Sequence, residues 1–150
     1  MSTNSISLHR VLTAKPEKVF RAFTDVNAFL SWLAPYGMFA EIQEMEVKVG
    51  GKYKMSFTNF STGKKQSFGG EYLEIEPDRF IKYIDRFDDP NLPGDMITSI
   101  SFTPVSVGTE LKITQENIPA AIPLDACYLG WQESLEKLKK LVEPEIPDEL

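Results

Sequence analysis

Few groups in this 150-residue chain could carry out chemistry. His9 is its only histidine and Cys127 its only cysteine. A histidine and a cysteine can act as base and nucleophile when the fold pairs them, but no sequence feature brings these two together. The plainer reading is an exposed strand histidine and a small buried helix residue. One cysteine cannot form an internal disulfide or a thiolate metal site, and one histidine cannot build a histidine metal centre. Carboxylates could hold a hard cation only weakly. No metal, no cofactor and no catalytic residue is therefore expected. Gly50-Gly51 lacks the lysine and the Ser/Thr context of a phosphate loop and reads as a turn. Glu71 could serve as a general acid or base if burial raised its pKa. A lone carboxylate is better explained by an ion pair with an arginine such as Arg10 or Arg86.

More is carried by polar residues that fall on apolar strand faces. Side chains alternate between the two faces of a strand. That period places Tyr53, Met55 and Phe57 together, then Leu73 with Ile75, Ile100 with Phe102, and Leu111 with Ile113. Glu71 is in step with Leu73 and Ile75, and Gln115 with Leu111 and Ile113. Inward polar groups need partners or water, so this pair predicts a polar patch in a cavity. Gly69-Gly70, just before Glu71, reads as a bulge or a bend. A one-residue slip there would turn Glu71 outward and bring Tyr72 in. The strand from Arg79 to Phe87, which holds Tyr83, mixes apolar and charged residues in both phases, and its facing stays open.

These residues need elements to position them. Leu124, Tyr128, Trp131, Leu135, Leu138 and Val142 recur at helical spacing, with Cys127 and Leu141 on the flank, and charged residues take the opposite face. Gly130 costs this helix roughly 1 kcal/mol against alanine, which suggests close approach by a strand or a ligand. Ile6 to Leu12 reads as a first strand. Pro16 suits the first turn of a helix carrying Val19, Phe20 and Phe23. Asn27 is expected to cap a second short helix that ends near Trp32 and Leu33. From about Met38 to Asn117, strand patterns alternate with turn signals, as in an antiparallel meander. The fold class predicted is α+β: a curved antiparallel sheet wrapped around a long C-terminal helix, with two short helices after strand 1. Residues 1–150 are read as one domain, with 143–150 as a frayed tail.

Composition narrows the partners. Net charge is -6 at 42% hydrophobic residues, and no lysine or arginine cluster goes beyond short pairs such as Lys64-Lys65. A nucleic-acid partner or an anionic membrane surface would be repelled. No stretch approaches 18 apolar residues, and the N-terminus has no apolar signal core, so the expected compartment is the cytoplasm and no membrane insertion is expected.

Four stretches together resemble a known group. They are His9-Arg10-Val11-Leu12-Thr13-Ala14-Lys15-Pro16-Glu17-Lys18-Val19-Phe20-Arg21-Ala22-Phe23-Thr24-Asp25, Trp32-Leu33-Ala34-Pro35, Glu46-Val47-Lys48-Val49-Gly50-Gly51, and Gly130-Trp131 with Leu135 and Leu138. In order and spacing they are similar to the START-like, or Bet v 1-like (SRPBCC), helix-grip superfamily. Within it they resemble the family of the C-terminal domain of the activator of the Hsp90 ATPase. Lys15 is inserted before Pro16, Leu33 replaces a second tryptophan, and Gln115 stands where many members carry histidine. The resemblance implies a cavity between sheet and helix, and it admits a chaperone of the Hsp90 type as partner. The leading expectation is non-catalytic binding of a small hydrophobic or aromatic ligand. Trp32, Met55, Phe57, Phe102, Tyr128 and Trp131 would be its walls, and Glu71, Tyr83 and Gln115 its polar groups. The rivals are a cyclase- or hydrolase-type enzyme using Glu71 or Tyr83, and a protein-interaction module.

Overall fold

A computed structural model describes residues 4–148; the last two residues of the expected frayed tail lie outside the described residues. Strand β1 (Ile6–Leu12) is followed by helices α1 (Pro16–Thr24) and α2 (Val26–Trp32). Six strands come next: β2 (Met38–Met45), β3 (Lys52–Asn59), β4 (Lys65–Glu76), β5 (Phe80–Phe87), β6 (Met96–Val105) and β7 (Gly108–Glu116). Helix α3 (Leu124–Val142) closes the order. All strands form one antiparallel sheet in the order β1-β7-β6-β5-β4-β3-β2. The sheet curls around α3, which packs on β1 and against both short helices. This is the α+β helix-grip arrangement expected from the periodicities.

The short helices follow from local chemistry. Pro16 occupies the first turn of α1, where its missing N–H is no loss. Val19, Ala22 and Phe23 form the buried face. Asp25, not Asn27, caps α2: its backbone is extended and its carboxylate accepts from the Ala28 amide at 3.0 Å. Asn27 already lies inside the helix and has no free amide within its own reach to cap.

The last helix divides in two. Leu135, Leu138 and Val142 are fully buried against the sheet, as their spacing required. In the first half the stripe opens. Trp131 and Leu124 are half-buried and Tyr128 is exposed, as is Leu141 on the flank of the second half. At its other end, the chain after α3 is held by two contacts. The Glu143 carboxylate accepts from the Thr13 amide at 2.9 Å, and Lys18 Nζ donates to the Pro144 carbonyl at 3.2 Å.

Strand β4 departs from simple alternation. Tyr72 pairs with Tyr83 and Glu74 with Lys82, so Leu73 is one residue too many. Such a bulge reverses which residues face inward on its two sides. Ile75 faces the core with Ile81 after it, while Phe68, Gly70 and Tyr72 face inward before it. Leu73 instead sits on the convex face beside Lys82 and Ile97. Gly69 and Gly70, expected to mark a bulge or a bend, stay in register, and the bulge falls at Leu73. Their role is close approach. A Cβ on Gly70 would lie 1.7 Å from the Ile84 carbonyl oxygen, and one on Gly69 would lie 2.6 Å from that of Tyr53.

Candidate functional site

Between the concave face of the sheet and the first half of α3 lies a cavity of about 320 Å³. Strand β3 contributes Tyr53, Met55 and Phe57, and β4 contributes Gln66, Phe68 and Tyr72. Alternation then brings Ile81, Tyr83, Asp85 and Phe87 inward from β5. Gln115 enters from β7. The roof is the α3 face of Ala126, Cys127, Gly130, Trp131 and Ser134, with Phe23, Phe29 and Leu33 below the short helices. Met38 and Ala126 are both exposed and lining, and they mark the opening.

Of the nine residues expected at the site, five line the cavity: Met55, Phe57, Tyr83, Gln115 and Trp131. The other four lie elsewhere. Glu71 is turned to the convex face by the Leu73 bulge, and Tyr72 takes the inward place. On that outer face the charge of Glu71 favours the ionised form of Arg86, whose own hydrogen-bonded partner is Asp95 at 2.5 Å. Trp32 is fully buried: its indole N–H donates to the Ala22 carbonyl at 2.9 Å, and its ring packs edge-on against Phe23 and Phe29. Phe102 packs beneath Phe20 and Phe23 at 5.3 and 5.2 Å, away from the cavity. Tyr128 is 38% exposed, because it sits one residue, and so about 100°, round the helix from Cys127. Gly130 faces Pro35, but a Cβ there would stand 3.6 Å from its ring, an ordinary contact. His9 and Cys127 are not brought together. His9 Nε2 bonds Glu110 on the surface at 3.1 Å, and Cys127 faces Gln115.

One end of the cavity is polar, and its groups form a chain. Cys127 Sγ and Trp131 Nε1 donate to Gln115 Oε1 at 3.1 and 3.2 Å. Gln115 Nε2 donates to Thr98 Oγ1 at 3.1 Å. The Thr98 hydroxyl in turn favours the ionised form of the Asp85 carboxyl. Asp85 and the Tyr53 hydroxyl are in direct hydrogen-bond contact. Tyr53 Oη also lies 2.7 Å from the Ile84 carbonyl. The one phenolic proton thus faces two acceptors, Asp85 Oδ1 and the Ile84 carbonyl. A protonated carboxyl is what the surroundings of Asp85 favour. Asp85 is 7% exposed, and burial pushes its pKa up to about 7. The register explains how this contact spans three strands. Tyr53, Gly70 and Asp85 sit opposite one another on β3, β4 and β5, and the absent Gly70 side chain lets the tyrosine pass over the middle strand.

Tyr72 and Tyr83 complete that wall, with ring centroids 6.1 Å apart. Burial raises the Tyr72 phenol to about 12 and Tyr83 further still, so both keep their protons. Burial, and next the charge of Asp85, also raise the Cys127 thiol, which favours the protonated, unreactive form. Among the described residues, no three His, Cys, Asp or Glu side chains come together to hold a metal ion.

Relatives agree with this architecture. The sequence model described as Activator of Hsp90 ATPase homolog 1-like protein matches residues 13–143. The chain belongs to that family. A crystal structure of a Chromobacterium violaceum protein is 55% identical and covers 95% of this chain and 99% of that one, with a TM-score of 0.94. A Staphylococcus epidermidis protein solved by NMR is 20% identical at a TM-score of 0.80, covering 100% of this chain and 97% of that one. A Silicibacter pomeroyi protein of the same family name is 18% identical at 0.79, covering 91% and 96%. These last two are similar in fold alone. No curated protein matches the chain. Among the described residues, no helix is long and apolar enough to cross a membrane.

Proposed function

We propose that this family member binds a small, largely apolar molecule in the sheet–helix cavity and does not transform it, acting in the cytoplasm with residues 1–150 as one functional unit. The cavity itself carries the reading. Its 320 Å³ fall at the low end of small-molecule sites, and its walls are aromatic and aliphatic with a few converging polar groups. The absence of a reactive role is supported by how those groups are engaged. Cys127 donates to an amide, His9 is occupied on the outer surface, and Asp85 is tied into a chain of protein partners. Of the enzyme alternative, Glu71 stands outside the cavity, and Tyr83 is a phenol kept protonated by burial.

A second reading is docking onto a chaperone of the Hsp90 type. It has the family membership behind it, and the exposed Tyr36, Met38, Phe39 and Phe60 at one edge of the sheet, where the Phe60 amide bonds the Gly37 carbonyl at 3.0 Å.

The two readings separate with a neutral dye. N-phenyl-1-naphthylamine fluoresces on entering an apolar site. The protein should bind it saturably, one per chain. Cys127→Phe, which puts a ring into the cavity, should abolish the signal while circular dichroism stays native. No saturable binding, or equal binding by the variant, would overturn the cavity reading in favour of the docking surface.

A further inference from the structure

We propose that the ligand is uncharged and presents an acceptor oxygen, such as a ketone, to the hydroxyls of Tyr72 and Tyr83; the inference rests on the cavity being a ligand site. Both tyrosines are at least nine-tenths buried and line the cavity. They are cross-strand partners on β4 and β5, so their phenols project from one spot on the wall. The Tyr72 hydroxyl is not sealed away from the cavity space. Tyr83 has the Thr98 hydroxyl as its hydrogen-bond partner, and Thr98 also accepts from Gln115. A phenol facing an apolar cavity donates to an acceptor that enters it, so a ligand oxygen placed before the pair would take the Tyr72 proton and compete with Thr98 for that of Tyr83.

Charge excludes the other classes. No lysine, arginine or histidine lines the cavity, and its one carboxyl is Asp85. A carboxylate ligand would be buried beside that acid with no cation to meet it. Below that acid's raised pKa an ammonium would find its counter-charge only by displacing the Asp85 proton. A neutral acceptor leaves both that proton and the bonds of the Tyr53 hydroxyl in place.

Four probes on one naphthalene body test this by titration calorimetry at about pH 5.5, where Asp85 is protonated. They are 2-acetylnaphthalene, 2-ethylnaphthalene, 2-naphthoate and 2-naphthylmethylammonium. The ketone should bind about three- to tenfold more tightly than the hydrocarbon, the worth of one or two added hydrogen bonds. The two ions should bind more weakly than either. Tyr72→Phe and Tyr83→Phe, which remove one oxygen each, should narrow the gap between ketone and hydrocarbon. A ketone no tighter than the hydrocarbon, an ion that binds best, or a gap unchanged in both variants would overturn the inference while leaving the cavity a ligand site. If none of the four binds, the ligand-binding reading falls with it.

Discussion

Asp85 is the residue on which most of the site's chemistry turns, and its sequence neighbourhood obscured it. The strand Phe80 to Phe87 offers apolar residues in both phases. The deciding signal was available in the cations: Lys82 and Arg86 share a phase, and two long cations on one strand face must reach water. That sends Ile81, Tyr83, Asp85 and Phe87 inward, as observed. Gln115 was legible because its strand runs without a bulge from Leu111 to Glu116. The buried acid should make stability depend on pH in an unusual direction. In the folded chain Asp85 holds its proton to about pH 7, against an ordinary value of 3.8. Between those limits the folded state binds more protons than the unfolded one, so stability falls as pH rises through the window. The full shift is worth roughly 4 kcal/mol. Asp95, Glu110 and Glu143, whose pKa values are lowered by their partners, act oppositely and below the ordinary carboxylate range. Asp85→Asn cannot ionise. Urea melts from pH 4.5 to 8 should show the variant gaining about 2–4 kcal/mol on the natural protein across that range. Parallel profiles would mean that the carboxyl is not buried neutral.

Elements set which residues reach the cavity, and two of them broke the simple periodicities for physical reasons. In β4 the apolar Leu73 looked like a core residue in step with Ile75. It is the extra residue of a bulge, and hydrophobicity alone cannot distinguish a bulged leucine from a paired one. Everything before it therefore reads one residue out, which exchanges Glu71 for Tyr72. In α3 the stripe is continuous in sequence but not in burial. The second half meets the sheet directly, whereas the first half spans an opening that leaves Tyr128 in solvent. The helix should then respond unevenly to truncation. Leu135→Ala removes a fully buried side chain and should cost about 2–5 kcal/mol, while Glu136→Ala on the exposed face should stay within about 0.5 kcal/mol. Chemical denaturation of the two variants decides it. Similar losses would mean that the helix does not lie on the sheet by this face.

At the scale of the whole molecule, the order β1-β7-β6-β5-β4-β3-β2 lets a seven-stranded sheet curl around one helix, with α1 and α2 filling only one end. Phe20, Phe23, Trp32 and Phe102 pack that end densely. The other end holds the cavity, so one continuous fold combines a densely packed core with a lined pocket. The general form of this division was readable from the long stripe and the strand phases. Which aromatics went to which half was not, because Trp32 and Phe102 are apolar and aromatic in the same way as Phe57 and Trp131. Chains fold to about close packing unless something forbids it, and an unfilled cavity forfeits dispersion contacts around its lining. If that space is kept for a ligand, filling it should trade binding for stability. Cys127→Phe is the direct trial, since the thiol points into the polar end and the opening allows a ring to settle. The new apolar contact should outweigh the lost bond to Gln115 and stabilise the fold by about 1 kcal/mol, raising the melting temperature by about 2–4 °C. Scanning calorimetry without ligand measures it. A lower melting temperature would mean that the protein is already packed around Cys127 and has no such space to give up.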